Sequence, residues 1–155
     1  MSELKKIATR QAYGEALKEF GADPRIVALD ADLGKSTMSA IFAKEYPERY
    51  IDMGIAEANM AGVAAGLATT GKIVVIHSFA MFAPGRMYDQ VRNSIVFPRL
   101  NVKIVGSHAG ITVGQDGPTH QALEDISLTR ALPGMVVLSP CDANETRLAV
   151  KAMLE

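Results

Sequence analysis

A chain of 155 residues, 48% apolar and 21% charged, is long enough to bury one core and too apolar to stay disordered. Its formal net charge of −1 offers no electrostatic footprint for nucleic acid or an anionic membrane, and its one cysteine, Cys141, excludes an internal disulfide and a cysteine-rich metal site. The N-terminal stretch MSELKKIATRQAYGEAL lacks the apolar core of a signal peptide, and no uninterrupted apolar run reaches membrane-spanning length, so cytoplasmic residence is the default expectation.

In chain order, Thr9–Phe20 predicts a helix, with Thr9 as its N-cap and Gly21 just past its end. Residues 25–30 (RIVALD) read as a short apolar strand after Pro24, and residues 49–54 (RYIDMG) as a second. Residues 56–70 have helical length and no proline. Residues 72–79 (KIVVIHSF) are the clearest strand, a continuous run rich in β-branched side chains. A helix over 85–96, a strand over 101–107 (NVKIVGS), a helix over 120–131, a strand over 134–140 (GMVVLSP) and a helix over 142–154 complete the series. Apolar strands alternating with helices predict a single α/β domain, residues 1–155, in three α/β/α layers around a mostly parallel sheet. There is no internal repeat, low-complexity tract or linker. The last helix reaches Glu155 without a tail, which suits a domain cut at its boundary and a natural end alike.

In such sheets ligands sit beyond the C-terminal ends of the strands, so the loops there hold the candidate chemistry. The loop DADLGKST superficially resembles a phosphate loop but lacks the first glycine of that motif, and no G-x-G-x-x-G is present. Glu57 is the one acid in the small-residue run 52–71, DMGIAEANMAGVAAGLATTG, after its opening Asp52. It is either a solvated acid favoured by a helix N-terminus, or a carboxylate in a dry interface whose raised pKa readies it for proton exchange with a basic nitrogen. The small residues after it suit close approach of another helix and so a subunit interface. Phe79 and Phe82 stand three apart after the clearest strand, as core or as a ligand stack. The loop from Gly106 to Gly117 carries four glycines and leads into DGPTHQ, where Pro118 and Thr119 could open a helix. His108, Asp116 and His120 surround that loop, and two imidazoles with a carboxylate suit proton transfer or hydrogen bonding to a polyhydroxy substrate; a turn with capping polar groups is the plainer account. Their spacing matches no common zinc pattern.

The segments DMGIAEANM, SFAMFAPG, GSHAGITVGQDGPTHQ and LPGMVVLSPCDANE, in this order, resemble the pyrimidine-binding domain of the transketolase family of thiamine diphosphate enzymes. The resemblance runs from about Thr9 to Glu145. It implies that Glu57 contacts the N1′ nitrogen of the cofactor's aminopyrimidine, favouring the tautomer whose 4′-nitrogen takes the proton from the thiazolium C2. It implies that Phe79 and Phe82 pack on the aminopyrimidine, that His108 and His120 hydrogen-bond the sugar donor, that Asp116 contacts a donor hydroxyl, and that Asp32 is a cofactor-side acid. The cofactor carries the hard chemistry and the protein sets tautomer and orientation.

Three departures qualify the match. Ser139 stands where sugar-phosphate transketolases often have Arg, and Gly85 where many members have a further aromatic. The G-D-G segment that binds the diphosphate through Mg²⁺ on another domain of the family is missing, as is the family's C-terminal domain. The resemblance therefore implies the first domain of the C-terminal section of a split transketolase. Its partner would be the N-terminal section, which carries the diphosphate and Mg²⁺, and the domain itself would pair as a homodimer. The isolated chain would have little activity. Within thiamine enzymes, 1-deoxy-xylulose-5-phosphate synthase shares DGPTHQ but tends to have Arg in place of His108, and the β subunit of 2-oxo acid dehydrogenases usually lacks DGPTHQ. A non-catalytic module of the same fold and a flavodoxin-like nucleotide binder are the readings from other classes.

Overall fold

The structure, a computed structural model, describes residues 6–155; the first five residues of the N-terminal stretch MSELKKIATRQAYGEAL lie outside the described residues. Helix α1 spans Thr9–Phe20, as expected. Its N-cap is Ala8, in extended conformation, and Thr9 is already helical. Gly21 closes it with φ −77°, not the left-handed turn expected of a glycine there. The glycine is needed for space, since a β-carbon at this position would collide with the Leu17 carbonyl and the Phe42 ring.

Strand β1 (Ile26–Asp30) leads into two short helices that the sequence pattern did not announce, α2 (Gly34–Thr37) and α3 (Ala40–Glu45), separated at Met38 by a left-handed residue. Strand β2 (Tyr50–Asp52), helix α4 (Glu57–Thr69) and strand β3 (Ile73–Phe79) follow, all within the predicted segments. The helix predicted over 85–96 starts later, as α5 (Tyr88–Gln90), and continues as a π-helical segment, Val91–Val96. Strand β4 is Val102–Ser107.

The helix predicted over 120–131 is corrected. A 3₁₀ turn at Pro118–His120 is followed by an extended Gln121, and helix α6 covers only Asp125–Arg130. The reason is a competing use of the backbone, because the Gly110 N–H donates to the Ala122 carbonyl at 2.8 Å in a parallel bridge between Ala109 and Ala122. The strand predicted over 134–140 does not form either. The described sheet has four strands in the order β2-β1-β3-β4, all parallel. Residues 134–140 have the β-branched composition of a strand but no ladder partner, and Val136 and Leu138 remain exposed. Helix α7 (Ala143–Leu154) is capped reciprocally: Asp142 accepts from the Glu145 N–H at 2.8 Å, and the Glu145 carboxylate accepts from the Cys141 N–H at 2.6 Å.

The period of two along β1 and β3 divides the core between the sheet's faces. Val27, Leu29, Val74 and Ile76 pack with α4, Val91 and Ile95. Ile26, Ala28, Ile73 and Val75 pack with Tyr13, Leu17, Phe42, Val150 and Leu154. Every residue of β1 and β3 is buried, which is the pattern of central strands covered on both sides. The layers and parallel sheet are those predicted, with one strand fewer. No helix among the described residues is long and apolar enough to cross a membrane.

Candidate functional site

The side chains that matter gather where β3 and β4 end. The Phe79 carbonyl accepts from the N–H groups of Phe82 and Ala83 at 2.9 and 2.8 Å, and this turn brings the Phe82 ring alongside that of Phe79. The two rings are nearly parallel, 6.2 Å apart and 17° between planes. One residue beyond β4, His108 adopts a left-handed conformation (φ 58°). Its ring centroid lies 4.3 Å from that of Phe79. His120, at the end of the 3₁₀ turn, meets Phe82 edge-on at 5.2 Å and Phe79 at 6.3 Å. Four of the residues singled out in the sequence thus form one aromatic cluster.

Glu57 joins it through a residue that the sequence reading missed. As the first residue of α4 it is buried, with 4% of its surface exposed. Arg86 Nη1 donates to Glu57 Oε1 at 3.0 Å, and the same guanidinium lies 4.0 Å above the Phe82 ring. No described residue donates to Oε2. A signal for Arg86 was present: a buried acid needs a partner, and the aromatic loop contains one cation.

Arg10, on α1, is a second missed residue. Its Nη1 lies 3.1 Å from His108 Nε2. A guanidinium only donates, so Nε2 accepts and Nδ1 carries the proton, donating to Ser107 Oγ at 2.8 Å. Burial, and then the Arg10 charge, hold the His108 pKa below the ordinary imidazole value, against a smaller upward pull from Asp116. His108 is therefore a neutral imidazole at neutral pH. Thr119 Oγ1 lies 3.0 Å from His120 Nδ1.

Asp116 is exposed and acts on His108 through its charge, without a hydrogen bond among the described residues. Asp32 is exposed, left-handed (φ 61°) and hydrogen-bonded to none of the described residues. The structure does not join it to the cluster. Ser139 is likewise exposed. No group of three or more His, Cys, Asp or Glu side chains with the geometry of a metal site occurs among the described residues.

A second polar cluster is buried at the ends of the two central strands, β1 and β3. Asp30 accepts from the Leu33 N–H at 2.6 Å and from the Thr37 and Ser39 hydroxyls at 2.8 Å each. His77 donates from Nδ1 to the Leu29 carbonyl at 2.8 Å and accepts from the Tyr13 hydroxyl at Nε2. Burial lowers the His77 pKa and raises that of Tyr13, so both are neutral. Neither of two surface clefts, one between α1 and α3 and one between residues 80–85 and α6, contains Glu57 or the aromatic cluster. The cluster forms a partly exposed shelf at the rim of the sheet, where Phe82, His108 and His120 are half-buried and Phe79 and Glu57 are buried.

Residues 5–155 match the family model described as "Transketolase, pyrimidine binding domain". The chain belongs to that family. It is 54% identical over 147 residues to a protein of Methanocaldococcus jannaschii named for a transketolase C-terminal section, covering 94% of this chain and 46% of that one. It is 49% identical over 146 residues to a 6-deoxy-6-sulfo-D-fructose transketolase subunit of a Clostridium species, covering 94% and 45%. A solved structure described as a split-gene transketolase, an inactive beta4 tetramer, superimposes with a TM-score of 0.83 at 54% identity, covering 96% of this chain and 48% of that one. This pyrimidine-binding domain therefore spans about half the length of the curated relatives it matches.

Proposed function

We propose that this chain provides the pyrimidine side of a thiamine diphosphate site in a split transketolase. Joined to an N-terminal section that holds the diphosphate and Mg²⁺, it serves the transfer of a two-carbon ketol unit between sugars in the cytoplasm. In this reading residues 1–155 are one pyrimidine-binding domain. The observation that carries it is the gathering of Glu57, Phe79, Phe82, His108 and His120 on one rim of the sheet, in a chain of this family.

The residues suit the cofactor on their own chemistry. Glu57 is a buried carboxylate with one oxygen engaged and the other free to meet a ring nitrogen. The half-buried Phe82 offers an apolar surface that suits a planar ring, with the buried Phe79 ring packed beside it. When bound, thiamine diphosphate supplies the carbon nucleophile that cleaves and forms the ketose carbon–carbon bond. Glu57 holds the proton at N1′. Phe79 and Phe82 exclude water from the ring; Asp32, which stands apart from the cluster, keeps only the cofactor-side role that the family resemblance implies. His108 and His120 hydrogen-bond the donor's hydroxyls with Asp116; in the tautomer fixed by Ser107 and Arg10, His108 meets a hydroxyl as an acceptor at Nε2, where the hydroxyl takes the place of the guanidinium. Ser139 offers a sugar phosphate no charge, whereas Arg10, held against His108, does.

Two descriptions of relatives support the split arrangement: one is named as a C-terminal section, and another is described as a split-gene transketolase in an inactive beta4 tetramer. The exposed Ala58, Gly62 and Gly66 of α4 have room for a partner helix in a homodimer, since a β-carbon at either glycine would meet nothing within 4 Å.

The test is calorimetry of thiamine diphosphate with Mg²⁺, on the chain alone and with the matching N-terminal section. Binding is expected only in the mixture. In the complete enzyme Glu57→Gln should lower ketol transfer by at least about 100-fold, the scale of a lost proton-transfer group. Absence of binding in both samples, or a Glu57→Gln enzyme as fast as wild type, would overturn the reading.

A further inference from the structure

Glu57 is one of two buried carboxylates among the described residues, and it has one donor. That donor is unusual in its setting. The Glu57 side chain is 5% exposed and the Arg86 side chain 51%. A long, half-solvated side chain loses rotamer freedom when it is held in one geometry, so something must fix it. Two contacts do. The Arg86 N–H donates to the Phe82 carbonyl at 3.1 Å, closing the turn after β3, and the guanidinium lies on the Phe82 ring. Together they aim Nη1 at Glu57.

The bond is single-pointed. Nη1 reaches Oε1 alone, so Arg86 does not form the two-pronged clamp of which it is capable. The terminal torsion of a glutamate is broad and roughly two-fold, so a carboxylate without a fixed partner samples many planes. One charge-assisted bond to Oε1 removes that freedom and leaves Oε2 unengaged. The aromatic rings and the unengaged oxygen belong to the same shelf, since Arg86 touches both Phe82 and Glu57.

We propose that Arg86 is a positioning residue, which sets the carboxylate plane of Glu57 so that Oε2 is presented to the aminopyrimidine N1′. This rests on the reading of Glu57 given above. Recognition of the ring nitrogen then depends on Arg86 through Glu57, while the apolar stacking on Phe79 and Phe82 does not.

The experiment uses the complex of the full chain with its N-terminal section and two probes, thiamine diphosphate and the analogue in which N1′ is replaced by carbon. Calorimetry gives both affinities for wild type, Glu57→Gln, Arg86→Met and Arg86→Lys. Wild type should prefer the nitrogen compound by roughly tenfold or more, the scale of one charge-assisted hydrogen bond. Arg86→Met should lose most of that preference with little change toward the carbon analogue, and Arg86→Lys should recover part of it. Equal weakening of both probes in Arg86→Met would make Arg86 merely structural and overturn the proposal. A preference that survives Arg86→Met but vanishes in Glu57→Gln would overturn the proposal and leave the Glu57 reading intact. A preference that survives Glu57→Gln would overturn both. Should Arg86→Met not fold, Arg86→Gln carries the same comparison.

Discussion

Two carboxylates are buried at the same rim of the sheet, and they are finished in opposite ways. Asp30, the last residue of β1, accepts three hydrogen bonds from neutral donors three, seven and nine residues further on. Ser39 continues the network to the Tyr50 hydroxyl at 3.2 Å. Glu57, the first residue of α4, has one donor, 29 residues away and half in solvent. Burying a charge is costly unless its lone pairs are met, so a carboxylate whose needs are met locally is an anchor. Asp30 pins the turn 31–39 to the sheet. A carboxylate left with a free oxygen is open to a further partner, and on the function proposed above that is the difference between fold and site here.

The largest effect should come from breaking the finished one. Asp30→Ala removes the acceptor of all three bonds and leaves the Leu33 N–H and two hydroxyls to find other partners. The expected loss is about 3–5 kcal/mol of unfolding free energy, measured by urea denaturation. A loss below about 1 kcal/mol would mean that the network is decorative, on the scale of a single ordinary hydrogen bond.

A smaller effect should appear with pH, beside Asp30. The His77 pKa is lowered mainly by burial, against upward pulls from its Leu29 hydrogen bond and the Asp30 charge. An unfolded chain binds the proton near pH 6.5, before the folded chain does. The stability that neutral His77 contributes is therefore complete above about pH 6.5 and is lost progressively as pH falls toward the lower folded-state value. His108, lowered by burial and by Arg10, acts in the same direction. Tm should fall between pH 7.5 and 5.5, and the His77→Gln profile should be flatter. A wild-type Tm that is level over this range would contradict the neutral imidazole in the core.

How much of this was legible in the sequence follows from the range of the interactions. Strand β3 was plain because it opens with four consecutive buried β-branched residues, Ile73 to Ile76. The candidate cluster was legible one residue at a time, because strand ends in a parallel sheet mark where chemistry collects. Its cross-links were not, since Arg86 reaches Glu57 across 29 residues and Arg10 reaches His108 across 98. The missing strand shows the converse. Residues 134–140 have the composition of a strand, but a ladder is a property of two segments, and composition describes one. The shortened α6 has the same origin, since the pairing of Ala109 with Ala122 is invisible to a local pattern.

The smallest effect should come from Glu57. Glu57→Gln keeps the length of the side chain and a carbonyl oxygen that can accept from Arg86, while the guanidinium, half in water, recovers solvent for what it loses. It also removes a buried charge, which offsets the weakened bond. The change in unfolding free energy should stay within about 1 kcal/mol, a fraction of the Asp30→Ala loss. On the function proposed above, the same substitution should cost at least about 100-fold in ketol transfer by the assembled enzyme. Urea denaturation of both variants under one set of conditions makes the comparison direct. If Glu57→Gln destabilised the domain as much as Asp30→Ala, Glu57 would be an anchor of α4, and its free oxygen would no longer argue that it is kept for a ligand.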